Sequence, residues 1–116
     1  MTNKVITALA ALGLAGCASA PIPVYQLERA QSSIRGAEEI GARSVPAAAL
    51  HLQLAKDQTE TAQAMASKGD IRSVLVMARA ESDAELAIGL AREVAVHSDA
   101  VRATEDLKAV RARGNP

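Results

Sequence analysis

Two histidines and one glutamate are the residues in this sequence that could begin a metal site. Glu93 lies four residues before His97, and His51 is the second histidine. A spacing of four places two side chains on one face of a helix, but two ligands do not complete a zinc site. Aligning the predicted helices puts His97 about 12 Å further along the bundle than His51. We therefore predict no metal ion and interpret both histidines as solvated residues on helix surfaces.

Paired carboxylates are the second arrangement from which chemistry could be built. Glu38 and Glu39 are adjacent, and Glu81 and Glu85 lie one helical turn apart. Acid–base catalysis needs one member of such a pair in a desolvated pocket, which a helix surface does not provide. The serines lie in no nucleophile-elbow motif, and the glycines form no phosphate-binding loop. We therefore predict no catalytic residues, no cofactor and no enzyme activity.

Cys17 is the only cysteine, so one chain cannot form an internal disulfide. It directly follows Leu14, Ala15 and Gly16, an aliphatic residue and two small ones. These four residues resemble the lipobox of bacterial lipoproteins. The resemblance implies that a signal peptidase cleaves before Cys17, that the thiol carries a diacylglyceryl lipid and that the new amino terminus receives an acyl chain. Two or three chains on one residue anchor a protein durably, whereas one chain holds it only marginally.

The residues before this cysteine are typical of a secretory leader. Thr2, Asn3 and Lys4 give a short positive start, and a largely apolar run follows over 5–15. A membrane-spanning helix would need roughly 20 apolar residues, more than this run contains. We predict a signal peptide over 1–16 and an extended, lipidated tether over 17–23. No aspartate follows the cysteine, which by resemblance to enteric lipoproteins favours the outer membrane.

The composition predicts a small helical body without affinity for nucleic acid. Basic and acidic residues balance at 13 each, so no strong electrostatic field would recruit a polyanion. The sequence has no Phe, no Trp and one Tyr, and it therefore lacks the aromatic platforms on which single-stranded nucleic acid stacks. The chain length fits one domain. Alanine and other strong helix formers dominate, which indicates an all-α fold.

The apolar spacing predicts three helices in an antiparallel up-down-up arrangement, with a long third helix, over 24–112 and a disordered tail over 113–116. The helices are predicted from Val24 to Ala42, from about Pro46 to Lys68, and from Ile71 towards Arg111. Turn residues set these limits: glycines favour the helix ends at Gly41 and Gly69, and side-chain caps are predicted at Ser44 and Asp70.

Each predicted helix has an apolar stripe that should face the others. The first stripe contains Leu27, Ala30, Ile34, Ala37 and Gly41. The second contains Ala47, Leu50, Leu54, Ala62 and Met65. The third begins with Val74, Met77, Ala80, Ala84, Ala87, Ala91 and Val94. Because alanine buries little area, this core should be marginal on its own.

A second stripe on the last helix lies beyond the predicted end of the bundle. Its members are Val96, Ala100, Ala103, Leu107 and Val110. If the helix is continuous, the stripe projects nearly 30 Å into solvent at about 1.5 Å per residue and forms a candidate interaction face. If the helix breaks at Ser98 and Asp99, which can both cap a new helix, a short fourth helix folds back and buries the stripe. The sequence leaves both alternatives open.

Several short motifs resemble a widespread family of alanine-rich helical domains in bacterial envelope lipoproteins, whose members have no characterised function. They are Ile34-Arg35-Gly36-Ala37, Val45-Pro46 with Leu50, and Gly69-Asp70 before a long alanine-rich helix. The resemblance covers Leu27 to Val101. Relatives sometimes continue into an OmpA-like peptidoglycan-binding module. The chain is also similar to the murein lipoprotein, but Gly114-Asn115-Pro116 supplies no lysine for covalent attachment to the wall.

These observations predict a lipoprotein that faces the periplasm and acts as a structural or protein-interaction module of the cell envelope. Its expected partners are the membrane, through the lipid on Cys17, and either an envelope protein or further copies of the same chain. The alternative is a carrier that holds a small ligand or lipid between its alanine-lined helices.

Overall fold

The computed structural model describes residues 21–114 and shows an all-α fold. Helix α1 spans Val24–Glu39, α2 spans Pro46–Ser67 and α3 spans Ser73–Arg113, with a 3₁₀ turn at Ala42–Ser44 between the first two. The predicted three-helix arrangement with a long third helix is confirmed. The predicted leader, the lipobox, Cys17 and most of the tether lie outside the described residues, as do the last two residues of the tail.

Glycine ends both of the first two helices. Gly41 has a φ of 82° and Gly69 a φ of 73°, in the left-handed region that residues with a Cβ avoid. α1 ends three residues before the predicted limit at Ala42, because the chain must leave the helix to reach the left-handed residue. Gly69 ends α2 as predicted.

Neither of the predicted side-chain caps forms. The Asp70 carboxylate accepts a hydrogen bond from the backbone N–H of Arg72 at 2.9 Å in the turn before α3, but Arg72 is the residue that precedes the helix, and α3 has no side-chain cap. Ser44 does not cap α2, since Val45 occupies that position and makes no side-chain cap. Pro46 starts α2, where its missing N–H costs nothing.

Contacts between side chains fix the directions of the helices. Arg29 of α1 pairs with Glu81 of α3 at 2.5 Å, and a Cβ on Gly36 would lie 3.6 Å from Ile88 of α3. These contacts advance together along both helices, so α1 and α3 are parallel. Glu38, late in α1, pairs with Lys56 in the middle of α2, which runs in the opposite direction. α3 therefore lies beside both of the other helices.

The core consists of two clusters, one at each end of the bundle. Around the turn between α2 and α3, the buried residues are Ala30, Ala62, Met77 and Ala80, with Ile22, Leu27 and Val76 packed against them. Around the turn between α1 and α2 they are Ala37, Ala42, Ala48, Leu52, Ala87 and Ala91, with Ile34, Val45, Ile88 and Leu90. Alanine dominates both clusters, so the helices approach closely while each residue buries little apolar area.

The prediction for the buried face of α2 was wrong. Its buried residues are Ala48, Leu52, Ala55, Thr59 and Ala62, and only the last of these was predicted. Leu50 and Leu54 are exposed. The first half of α2 carries apolar residues around most of its circumference, so spacing alone selected the larger leucines. The close helix approach instead buries the stripe of small residues.

α3 is continuous across Ser98 and Asp99, so the predicted alternative of a fold-back helix is wrong. Neither residue caps a new helix. Beyond Ala91 every described residue is exposed except Ser98, which is half-buried. We call the segment of α3 from Arg92 to Arg113 the rod. Within residues 21–114, no helix combines the length and apolar character that crossing a membrane requires.

Candidate interaction surface

The rod is a single helix that leaves the bundle without packing against α1 or α2. The buried residues of α3 end at Ala91, at the level of the cluster around the turn between α1 and α2. At about 1.5 Å per residue, the 22 residues from Arg92 to Arg113 extend roughly 33 Å beyond that level. The rod therefore presents its whole circumference to solvent.

The predicted interaction face lies along this rod. We call it the rod face and define it by Val96, Ala100, Ala103, Leu107 and Val110. Val96 is 67% exposed, Leu107 58% and Val110 65%, and both alanines are exposed as well. No described residue covers any of them. Apolar residues that recur on one side of a helix usually face another element, and no such element is present within residues 21–114.

Two shallow grooves flank Ala100 on the rod. One is lined by Gly89, Arg92, Glu93, Val96, His97 and Ala100. The other is lined by His97, Ala100, Val101, Thr104 and Glu105. Both exist because the small side chain of Ala100 lies between larger neighbours. A side chain from a second helix could enter the first of these grooves.

Weak local interactions hold the rod in helical form. Arg102 lies 3.6 Å from Asp99, and Lys108 lies 2.9 Å from Glu105, each pair spaced by three residues. Exposed pairs of this kind contribute a few tenths of a kcal/mol. Arginines in the last turn interact favourably with the carboxyl-terminal end of the helix dipole. Among the described residues, these local interactions within α3 are the ones that stabilise the rod, because α1 and α2 do not pack against it.

A polar cluster that the sequence analysis missed joins α2 to α3. His51 Nδ1 lies 2.7 Å from an Asp83 oxygen, and the Gln58 side-chain amide donates to the other Asp83 oxygen at 2.7 Å. His51 is thus half-buried and paired, not the solvated residue that we predicted. His97 is exposed on the rod, as predicted. The spacing of seven between His51 and Gln58 is the signal that places both on one face of α2.

Two of the four candidate carboxylates are paired with basic side chains, and the other two are exposed. Glu38 accepts hydrogen bonds from Lys56 and Arg43, which together lower its pKa to about 2. Glu81 pairs with Arg29, while Glu39 and Glu85 are exposed. A general acid needs a raised pKa, and the shift at Glu38 is in the opposite direction. Asp70, hydrogen-bonded to Arg72, likewise has its pKa lowered to about 2.

The structure keeps His51 apart from His97 and Glu93, the other two residues considered above as metal ligands. His97 and Glu93 are on the exposed rod, whereas His51 is held by Asp83 within the bundle. Among residues 21–114, no group of three or more potential ligand side chains lies close enough to hold an ion.

The contacts between the three helices leave little space in the core. The alanines of both core clusters are between 0% and 5% exposed, so their methyl groups fill the space between the helices. The hypothesis of a carrier with an alanine-lined groove stays a prediction.

The chain matches no family model, no curated protein sequence and no solved structure. The resemblances to bacterial lipoproteins and to the alanine-rich envelope family therefore stay predictions that rest on the motifs quoted above.

Proposed function

We propose that this protein is a lipid-anchored, periplasm-facing module of the bacterial envelope that uses the rod to contact a protein. The observation that carries the proposal is the rod face, a regular apolar stripe that no described residue covers. The lipobox at Leu14–Cys17 supports the membrane anchor, and the absence of aspartate after Cys17 favours the outer membrane. No catalytic or nucleic-acid-binding role is part of the proposal.

The direction of the helices supports a rod that points away from the membrane. Ile22 packs against the cluster around the turn between α2 and α3, which also contains Leu27 and Ala30 of α1. The folded body therefore begins within five residues of Cys17. At about 3.3 Å per residue, that segment spans at most roughly 17 Å. α3 runs parallel to α1, and the rod leaves the opposite end of the bundle. An anchor at Cys17 thus holds the bundle near the bilayer and the rod face beyond it.

The anchor is tested by mass spectrometry of protein isolated from its native envelope. Mature wild-type chain should begin at Cys17 and carry the mass of a diacylglyceryl group and an acyl chain. Cys17→Ala should accumulate as the unprocessed form. Protein that begins at another residue, or that has no lipid mass, would contradict the anchor.

Contact through the rod face is tested by site-specific photo-crosslinking in intact envelopes. A crosslinking residue at Ala103, on the rod face, should give defined products. The same residue at Ala109, about 160° around the rod from Leu107, is the matched control and should give few. Equal yields from both positions, or none from Ala103, would contradict the role of the rod face.

A further inference from the structure

The rod face belongs to a longer heptad repeat on α3. Moving back from Val96, the same alternation of three- and four-residue steps passes through Glu93 and Gly89 and reaches Leu86. We call these eight positions the seam; they are Leu86, Gly89, Glu93, Val96, Ala100, Ala103, Leu107 and Val110. The alternation spans 25 residues, or about 37 Å of helix, and repeats every seven residues. A repeat of 3.5 residues per turn is the pattern of a two- or three-stranded coiled coil.

The seam is accessible over its whole length. The buried residues of α3 face α1 and α2, and the seam lies on the opposite side of the same helix, so Leu86 is 45% exposed even within the bundle. A second helix could therefore lie along the seam without displacing α1 or α2. Isolated helices are marginal in water, which gives an unsupported rod a reason to pair.

We propose that the seam binds the seam of a second copy of this chain, and that the two α3 helices form a parallel, in-register, two-stranded coiled coil. The inference deepens the proposed function by naming the partner, and its direction rests on the proposed anchor. Two copies anchored by Cys17 in one bilayer have their α3 helices pointing the same way.

One of the grooves on the rod has the shape that this pairing needs. In a parallel, in-register coiled coil, a side chain at Val96 of the second copy enters a hole formed by Val96 and the residues three before, one after and four after it. Those residues are Glu93, His97 and Ala100, and all four line the same groove. The hole for an incoming valine thus already exists on the single chain.

The charges beside the seam fit the parallel direction. Asp106 and Arg111 flank the seam on opposite sides, and in a parallel pair each lies next to the other residue of the second copy. Glu93 lies in the seam and would meet its own copy, but Arg92 of the second copy lies beside it and offsets the repulsion. In an antiparallel pair with the rods fully overlapped, Asp99 would instead face Asp106, and Arg92 would face Arg113.

The small residues of the seam favour two strands over three. Ala100 and Ala103 occupy successive layers, where two helices can approach closely and remain in contact. Three helices around a common axis would leave space at these layers that methyl groups do not fill, and such space is destabilising.

Sedimentation equilibrium of the full chain in a density-matched detergent tests the stoichiometry. We expect a polypeptide mass of twice that of one chain for the wild type. Val96→Glu, which places a charge in the seam, should weaken association by about tenfold or more. Val101→Glu is the matched control, since Val101 is also exposed on the rod but points away from the seam, and it should associate like the wild type.

A variant that strengthens association shows that the glutamate substitutions act on the dimer and not through a general effect of added charge. Glu93→Leu removes the like charges from the seam and should tighten the dimer by about tenfold or more. Circular dichroism should show the same cooperative unfolding of the bundle for all three variants, because each altered side chain is exposed on the single chain.

Disulfide formation tests direction and register. In a parallel, in-register pair, residue 110 of one copy lies beside residue 110 of the other, so Val110→Cys should give a covalent dimer. Ala109→Cys points away from the seam and should give no more dimer than the wild type, which controls for Cys17.

A monomeric or trimeric mass, or no difference between Val96→Glu and Val101→Glu, would overturn the proposal. A dimer in which Val110→Cys fails to crosslink would overturn the parallel, in-register arrangement. These outcomes differ from failure of the proposed function, since a monomer with a lipidated Cys17 and specific crosslinks at Ala103 would retain the envelope role and transfer the seam to a different protein.

Discussion

At the scale of single residues, a few polar contacts connect the helices of this bundle in addition to the apolar core. Asp83 joins His51 and Gln58 across the contact between α2 and α3. Glu38 joins α1 to α2 through Lys56. In a core made mainly of alanine, such contacts add directional specificity that small apolar residues do not supply. They fix which faces of the helices meet.

The Glu38 contact gives the protein a pH-dependent stability. The pKa of Glu38 is lowered from 4.5 to about 2 by Lys56 and Arg43, so its ion pairs contribute fully above pH 4.5 and are lost as the pH falls through about 2. Glu38→Gln removes this contribution. Thermal unfolding followed by circular dichroism should therefore show a smaller loss of stability between pH 4.5 and 2 for the variant than for the wild type.

Glu39→Gln is the matched control for that experiment, since Glu39 is exposed and makes no salt bridge within residues 21–114. Asp70 titrates in a similar range, but both variants retain it, so its contribution cancels in the comparison. High salt should shrink the difference because the groups are accessible to solvent. Equal pH dependence for wild type and Glu38→Gln would show that the pair does not stabilise the fold.

At the scale of helices, the sequence predicted where the elements lie better than which faces they bury. Glycines and Pro46 predict the boundaries because backbone geometry depends on single residues. The inward face of α2 is not predictable in this way, since Ala47, Ala48 and Leu50 lie on different sides of the helix and only the packing distance selects among them. The Asp83 cluster was missed for the same reason, because it depends on the register between α2 and α3.

Substituting two glycines by alanine distinguishes the effect of an added Cβ on packing from its effect on the backbone conformation. Gly36 lies within α1, where a Cβ would meet Ile88 at an ordinary contact distance of 3.6 Å. Gly36→Ala should therefore raise the free energy of unfolding by about 0.5–1 kcal/mol through better helix propensity. Gly69→Ala should lower it by about 1 kcal/mol or more, because Gly69 has a φ of 73°. Urea denaturation of both variants measures the two changes. Destabilisation by Gly36→Ala would mean that α1 and α3 lie closer together than the structure shows.

At the scale of the whole molecule, the two halves of α3 have different structural roles. Its first half forms the core with α1 and α2, and its second half, the rod, leaves them. The sequence predicted the stripe on the rod from its spacing. It could not decide whether that stripe was free or folded back, because Ser98 and Asp99 are compatible with both a continuous helix and a cap. Leu86 was missed as part of the seam because Glu93 and Gly89 interrupt the apolar spacing before it.

The independence of bundle and rod is open to a truncation experiment. Ending the chain after Val94 removes residues that, as far as Gly114, are all exposed except the half-buried Ser98. The shortened protein should unfold cooperatively with a free energy within about 0.5 kcal/mol of that of the Val96→Glu variant, in which the rod is present but association is weakened. A much less stable shortened protein would show that the rod supports the bundle.

Because the rod does not pack against the bundle, its length can change without affecting the fold of the bundle. An insertion of seven residues into the rod would lengthen it by about 10 Å and return every later side chain to its former side of the helix. Length could thus be gained or lost in fixed increments during evolution, with no compensating change in the folded body. Chains with rods of different length could share one folded body and differ only in the number of heptads.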